Sequence, residues 1–244
     1  MEVHHHPELP HGKKKHFKEY VLEFLMIFLA VTMGYIAENV REHISDNARE
    51  KEYITGMIEN LKTDTANLTF NLRSIKKQIG GIDTLLTISR DKLADIKVQD
   101  SLYYYTANYM FNEVEFKNDD VTLTQLRNAG GYRLIRKKGA LDSIAKYEKS
   151  LQYLNEQFGF YSRAFEKTID FSGSIFDLNV EHRFDSAPTS TPVLITNDKV
   201  KINEFYNRAY LMSVIVKSYR GMLKYQLRYS TGLISYLKDK YDID

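Results

Sequence analysis

Cysteine is absent from the 244 residues. That removes disulfides, thiol nucleophiles and cysteine-ligated zinc together. Tryptophan is also absent, and four prolines and twelve glycines leave few breakers, so long helices are expected. Neither sign of charge dominates: 34 Lys and Arg face 32 Asp and Glu, and a net charge of +2 gives no broad basic surface for nucleic acid. The chain has no HExxH, no GxSxG, no strand-led glycine loop for phosphate and no DxDxDG-type calcium loop. The expectation is a protein that is not an enzyme and uses no cofactor or metal. Three adjacent histidines, His4 to His6, sit in a polar tail with no fixed geometry, and only His43 and His182 lie beyond it. Asp119-Asp120 reads as a helix cap rather than a catalytic pair.

Tyrosine is abundant, at 18 residues, and suits core and boundary positions with an apolar body and a polar tip. The most informative stretch is FLMIFLAVTMGYIA, Phe24 to Ala37, which has no charge and no proline. From Tyr20 the apolar span has 18 residues with one carboxylate, Glu23. A spanning helix needs about 17 to 25 such residues. No small-x-small cleavage site closes the run, since Glu38, Asn39, Val40 and Arg41 follow in helical pattern, so an anchor is expected rather than a cleaved signal. Lys13, Lys14, Lys15 and Lys18 precede the span, and Glu38, Glu42 and Asp46 against Arg41 follow it. The positive-inside rule then places the N-terminus in the cytoplasm.

Past the span, Ile54, Ile58, Leu61, Thr65, Leu68, Leu72, Ile75, Ile79, Ile82 and Leu86 alternate at spacings of four and three, the seam of a coiled coil or bundle. The phase runs back through Ile44, Val40 and Ala37, so one rod is expected, with a kink or break at Gly80-Gly81. Asp100-Ser101 reads as a cap opening a second block. Asn118-Asp119-Asp120 caps a short helix, Val121 to Asn128, ended by Ala129-Gly130-Gly131. Two long helices follow, about 140 to 171 and about 200 to 239, separated by a long loop, 176 to 198, that contains Pro188 and Pro192.

Glu19 to Ile54 (EYVLEFLMIFLAVTMGYIAENVREHISDNAREKEYI) and Val121 to Ile144 (VTLTQLRNAGGYRLIRKKGALDSI) resemble an uncharacterised family of single-pass membrane proteins of Bacteroidota with a domain of unknown function. The resemblance implies an inner-membrane protein with a periplasmic domain, and it carries no activity or site residues. The expected fold is all-α: one N-terminal transmembrane helix continuing into a periplasmic antiparallel bundle of long helices. Residues 1–19 form a cytoplasmic tail, 20–38 the transmembrane helix and 39–244 the periplasmic domain. The resemblance also makes a Bacteroidota O-glycosylation pattern relevant (Asp, Ser or Thr, then an apolar residue or Thr). Asp185-Ser186-Ala187 fits it in the long loop, with Ser186 as acceptor, and four further matches fall on helices or caps.

Glu23, Ile27, Ala30, Gly34 and Ala37 share one face of the span, and Ala30 with Gly34 forms a small-xxx-small pair that lets helix backbones approach. This face is expected to pair in lipid with a second copy or with a partner protein's helix. Glu23 lies near the cytoplasmic end, within reach of headgroups, Lys15 and Lys18, which favours an interfacial role over a proton path. The expected function is a membrane-anchored accessory or scaffold protein, a homo-oligomer or a subunit of a larger complex. The alternatives are a periplasmic ligand sensor signalling through a partner and a proton-coupled, stator-like subunit using Glu23.

Overall fold

The computed structural model describes residues 16–128, 130–178 and 193–243. The protein is all-helical, and no strand occurs among these residues; Phe176 and Leu194 form an isolated bridge. The helices are α1 (Phe17–Thr87), α2 (Ile96–Tyr105), α3 (Val121–Asn128), α4 (Lys138–Ser172) and α5 (Lys199–Tyr241). The chain divides into two compact units, residues 1–49 and 50–244.

In the first unit, α1 begins at Phe17, and its residues up to Arg49 are exposed apart from half-buried Thr32 and Asp46. In the second unit the heptad pattern folds as helix up to Thr87. The expected break at Gly80-Gly81 is absent. Gly81 is buried, and a Cβ there would overlap the ring of Tyr109, so this glycine admits a close aromatic approach. Tyr109 lies in a π-turn, Thr106–Met110, closed by Phe111 N–H donating to the Thr106 carbonyl at 3.1 Å. Nothing lies within 4 Å of a Cβ placed at Gly80.

The second block also starts earlier than expected. Asp95, not Asp100, caps α2, accepting from the Lys97 N–H at 2.9 Å, and Asp100-Ser101 sits within the helix. The short helix α3 has the expected bounds, and Gly130 behind it takes the left-handed conformation (φ 67°) that only glycine adopts freely. Asp198 caps α5, accepting from the Val200 N–H at 2.8 Å. At the other end Asp242 is left-handed, and Ile243 N–H donates back to the Lys238 carbonyl at 3.0 Å.

The core is built from the inner faces of α1, α4 and α5, with Leu61, Leu68, Ile75 and Ile82 meeting residues such as Ile144, Leu151, Val216 and Leu223 in one buried cluster. Partner order gives the chain path within this unit. Along α1 and α4 the bonded residues rise together, Asp64 with Tyr147 and Gln78 with Tyr161. Along α1 and α5 they run oppositely, Glu50 with Tyr241 and Asp83 with Ser213. From Asn112 to Asp119 the chain returns along α1 as extended backbone, Asn112 near Gln78 and Asp119 near Asp64. The lengths agree: at about 1.5 Å per residue the helix rises about 21 Å from Asp64 to Gln78. Asn112 to Asp119 at about 3.3 Å per residue covers about 23 Å.

Candidate functional site

Two features stand out: an uncovered apolar helix surface in the first unit and a buried polar line in the second. Large apolar side chains from Phe17 to Ile36 are 46% to 81% exposed, on every side of the helix. A soluble surface rarely carries an apolar patch beyond a few hundred Å². By length and composition this segment can cross a membrane. The Thr32 hydroxyl donates to the Phe28 carbonyl at 2.8 Å, so its polar group is satisfied within the helix.

Glu23, Ile27, Ala30, Gly34 and Ala37 all lie on this exposed helix, and no atom lies within 4 Å of a Cβ built at Gly34. Lys18 is in the first turn; Lys13, Lys14 and Lys15 lie outside the described residues, as does Ser186. Beyond the apolar stretch, Arg41 Nε donates to Glu38 at 2.9 Å, an exposed pair that solvent screens.

In the second unit, residues seven apart on α1, namely Glu50, Met57, Asp64, Asn71, Gln78 and Leu85, are all buried. Four of the six are polar, and each bonds non-helical backbone. Glu50 accepts from the N–H groups of Arg136 (2.9 Å) and Lys137 (3.4 Å), and from the Tyr241 hydroxyl at 2.5 Å. Asp64 accepts from Asp119 N–H at 2.7 Å and from the Tyr147 hydroxyl. Asn71 donates to the Glu115 carbonyl at 2.8 Å, and Gln78 donates to that of Asn112 at 2.5 Å. Neighbouring Asn60 accepts from Thr122 N–H at 2.9 Å.

An extended segment without a partner strand would otherwise bury unpaired backbone groups, at about 1–3 kcal/mol each. Tyrosine hydroxyls complete the set. Tyr161 accepts from Val114 N–H at 3.3 Å, and Tyr219 from Phe116 N–H at 3.4 Å. Val114 and Phe116, two residues apart, are buried on the same side.

Asp64 is fully buried. Burial pushes its carboxyl up from 3.8 to about 6; the bonds from Tyr147 and Asp119 pull it down, and the charges of Asp119 and Asp120 add to the rise. Burial, then the charge of Asp64, raises the Tyr147 hydroxyl above its ordinary value. Near the far end of α1, burial raises Asp83, but Lys217 at 2.8 Å and Ser213 at 2.9 Å outweigh it and leave this carboxyl below its usual range.

Asp64 and Tyr147, at the middle of this line, have no exposed surface. Four surface cavities of about 270 to 650 Å³ are lined by other residues, and neither Asp64 nor Tyr147 reaches them. An acid without access to a substrate is a structural acceptor, and this one fixes the Asp119 backbone. Among the described residues no group of three His, Asp or Glu could hold a metal ion.

Sequence reasoning found the apolar helix and missed the polar line. The signal was present, because Asp64, Asn71 and Gln78 stand at one heptad position, but a search for apolar periodicity passes over them. The Asp-Thr and Asp-Ser pairs at Thr65, Thr84, Ser101 and Ser143 all fall inside helices. Comparison with protein-family models, curated proteins and solved structures finds no match for this chain.

Proposed function

We propose that this chain is a membrane-anchored accessory or scaffold protein that acts by binding. The observation that carries this reading is the apolar surface from Phe17 to Ile36, uncovered on every side. Lipid is the medium that covers such a helix. In this reading residues 20–38 span the inner membrane of a Gram-negative cell, with Lys13, Lys14, Lys15 and Lys18 on the cytoplasmic side. Residues 39–244 then lie in the periplasm, with a bundle whose successive long segments alternate in direction: α1, the extended return, α4 and α5. The directions of the bonded pairs support that arrangement. The buried acid Asp64 is committed to the Asp119 backbone, which supports a binding module over an enzyme.

The absence of cysteine supplies a test. Single-cysteine variants Glu2→Cys and Ser235→Cys are treated with a membrane-impermeant maleimide in spheroplasts. Ser235→Cys is expected to label at once, and Glu2→Cys only after the membrane is broken. The reverse pattern overturns the orientation, and release of the chain by alkaline washing overturns the anchor.

The face of Glu23, Ile27, Ala30, Gly34 and Ala37 pairs with another helix in this reading. The open position at Gly34 is where a neighbouring backbone would approach. Gly34→Leu is expected to leave membrane insertion intact and weaken self-association or partner capture about tenfold in mild detergent. An unchanged oligomer or complex would remove the pairing face from the proposal.

A further inference from the structure

The outer seam between α4 and α5 is grooved along much of its length. Three cavities of about 470, 350 and 270 Å³ follow one another along it. On α5 their lining includes Leu211, Ser218, Gly221, Tyr225, Arg228 and Gly232. With Val214 these form a spacing of three and four, the pattern of a helix-packing seam. On α4 the same phase takes in Ser150, Tyr153, Phe160 and Lys167.

This second seam is not used by the core. Tyr153, Phe160, Leu211 and Tyr225 are 54% to 60% exposed. The floor is low, because nothing lies within 4 Å of a Cβ placed at Gly221 or Gly232. Small residues between aromatic walls leave room for a helix to settle.

Charge selects the occupant. From Phe205 to Lys238 the sequence contains no Asp or Glu and six cations: Arg208, Lys217, Arg220, Lys224, Arg228 and Lys238. Arg208 is held by Glu204 and lies over the Phe171 ring, and Lys217 is held by Asp83. Of the side chains lining the three cavities, Arg163, Lys167, Arg208 and Arg228 are cations and Glu204 is the one acid. Arg163 lies over the Phe160 ring at 4.7 Å, and Arg163, Lys167 and Arg228 make no ion pair among the described residues. A groove with apolar walls and cations still to be neutralised complements carboxylates flanking an apolar stripe. A second α5 laid in it would set cation against cation.

We propose that the α4–α5 groove binds an acidic amphipathic helix of a partner protein. The inference deepens the reading of this domain as a binding module and names the surface and its ligand class. Apolar side chains of the partner fill the cavities beside Phe160 and Tyr225. Its flanking carboxylates meet Arg163, Lys167 and Arg228. From Asn207 to Gly232 the groove is about 38 Å long at about 1.5 Å per residue, room for a partner helix of about 20 to 25 residues.

The test uses the full chain in zwitterionic nanodiscs and a fluorescent peptide of about 21 residues, with leucine at a and d and glutamate at e and g. Saturable binding is expected, weakening with salt. A lysine-flanked peptide of the same length is expected to bind at least about tenfold more weakly. Leu211→Glu and Phe160→Glu change exposed positions, so thermal unfolding is expected to stay unchanged while binding of the acidic peptide is lost. Equal affinity for both peptides, no binding of either, or full binding by the two variants would overturn the proposal. Capture of anionic vesicles in place of the peptide, abolished by Phe160→Glu, would overturn it in favour of a lipid surface. Peptide failure with the maleimide pattern intact would remove the groove and leave the anchored protein standing.

Discussion

Asp64→Asn is expected to stabilise the domain at neutral pH, by up to about 3 kcal/mol, and to leave it nearly unchanged near pH 4. The folded carboxyl holds its proton up to about 6, whereas the unfolded group releases it near 3.8. Between those values the folded state binds more protons than the unfolded one. Stability from this group is therefore fully present below the unfolded value and is lost as pH rises through the folded one. At pH 7 the residue is a buried anion held by a tyrosine hydroxyl and one N–H, with no cation among its hydrogen-bond partners. Asparagine keeps the shape: its carbonyl oxygen accepts from Asp119 N–H, and its amide donates to the Tyr147 oxygen. Urea unfolding from pH 4 to pH 8 checks this, with the two proteins expected to diverge through pH 4–6 and run parallel above. A constant difference at all pH values would show that Asp64 does not titrate in this window. Asp64→Ala is expected to act in the opposite direction, because it strips both donors of their acceptor.

Gln78→Ala is expected to cost about 2–4 kcal/mol and to do so locally. Gln78 holds the Asn112 carbonyl, and its amide nitrogen lies 3.1 Å from the Tyr161 hydroxyl that accepts from Val114 N–H. With the side chain gone, the start of the extended return loses its attachment to α1 while the aliphatic core around Ile75 and Ile82 persists. Hydrogen exchange is the discriminating measurement. Amides of residues 112 to 116 should lose protection by a larger factor than those at the middle of α5. Uniform loss of protection would show that the return segment and the helices open as one unit.

The helical elements were largely legible in the sequence. Apolar spacing predicted α4 and α5 to within about two residues at each end, and capping chemistry predicted both ends of α3. Where the reading departed from the structure, one residue type served two purposes. Gly80-Gly81 matched a helix break, yet Gly81 is shaped by the Tyr109 ring, which arrives from 28 positions along the chain. Asp100 matched a cap, but Asp95 starts that helix five residues earlier.

The heptad on α1 was half right. Leu61, Leu68, Ile75 and Ile82 are its true core, while Leu72 and Leu86 flank it and are only half-buried. The line of Asp64, Asn71 and Gln78 runs beside that core and is buried with it. Apolar periodicity cannot find such a line, because burial there is justified by backbone groups of a distant segment with no regular pattern of its own. The α4–α5 groove was hidden for a related reason. Tyr153, Phe160, Leu211 and Tyr225 share the helices' apolar character, and only the fold shows which apolar residues the core leaves uncovered.

The line at Glu50, Asp64, Asn71 and Gln78 also works as a key that sets register. Read along α1 it offers acceptor, acceptor, donor, donor toward the return segment. Apolar seams with a seven-residue repeat tolerate sliding by one heptad, since leucine replaces leucine. Here the same slide would bring Met57 or Asn71 to the Asp119 N–H, and Asp64 or Gln78 to the Glu115 carbonyl. A slide in one direction would set a thioether against a donor, and both would leave at least one buried group facing a partner it cannot match. Polar residues in the core lower the stability that an all-aliphatic helix could reach. In exchange the chain rejects its nearest misfolded neighbours, so α1 meets the rest of the domain in one alignment only.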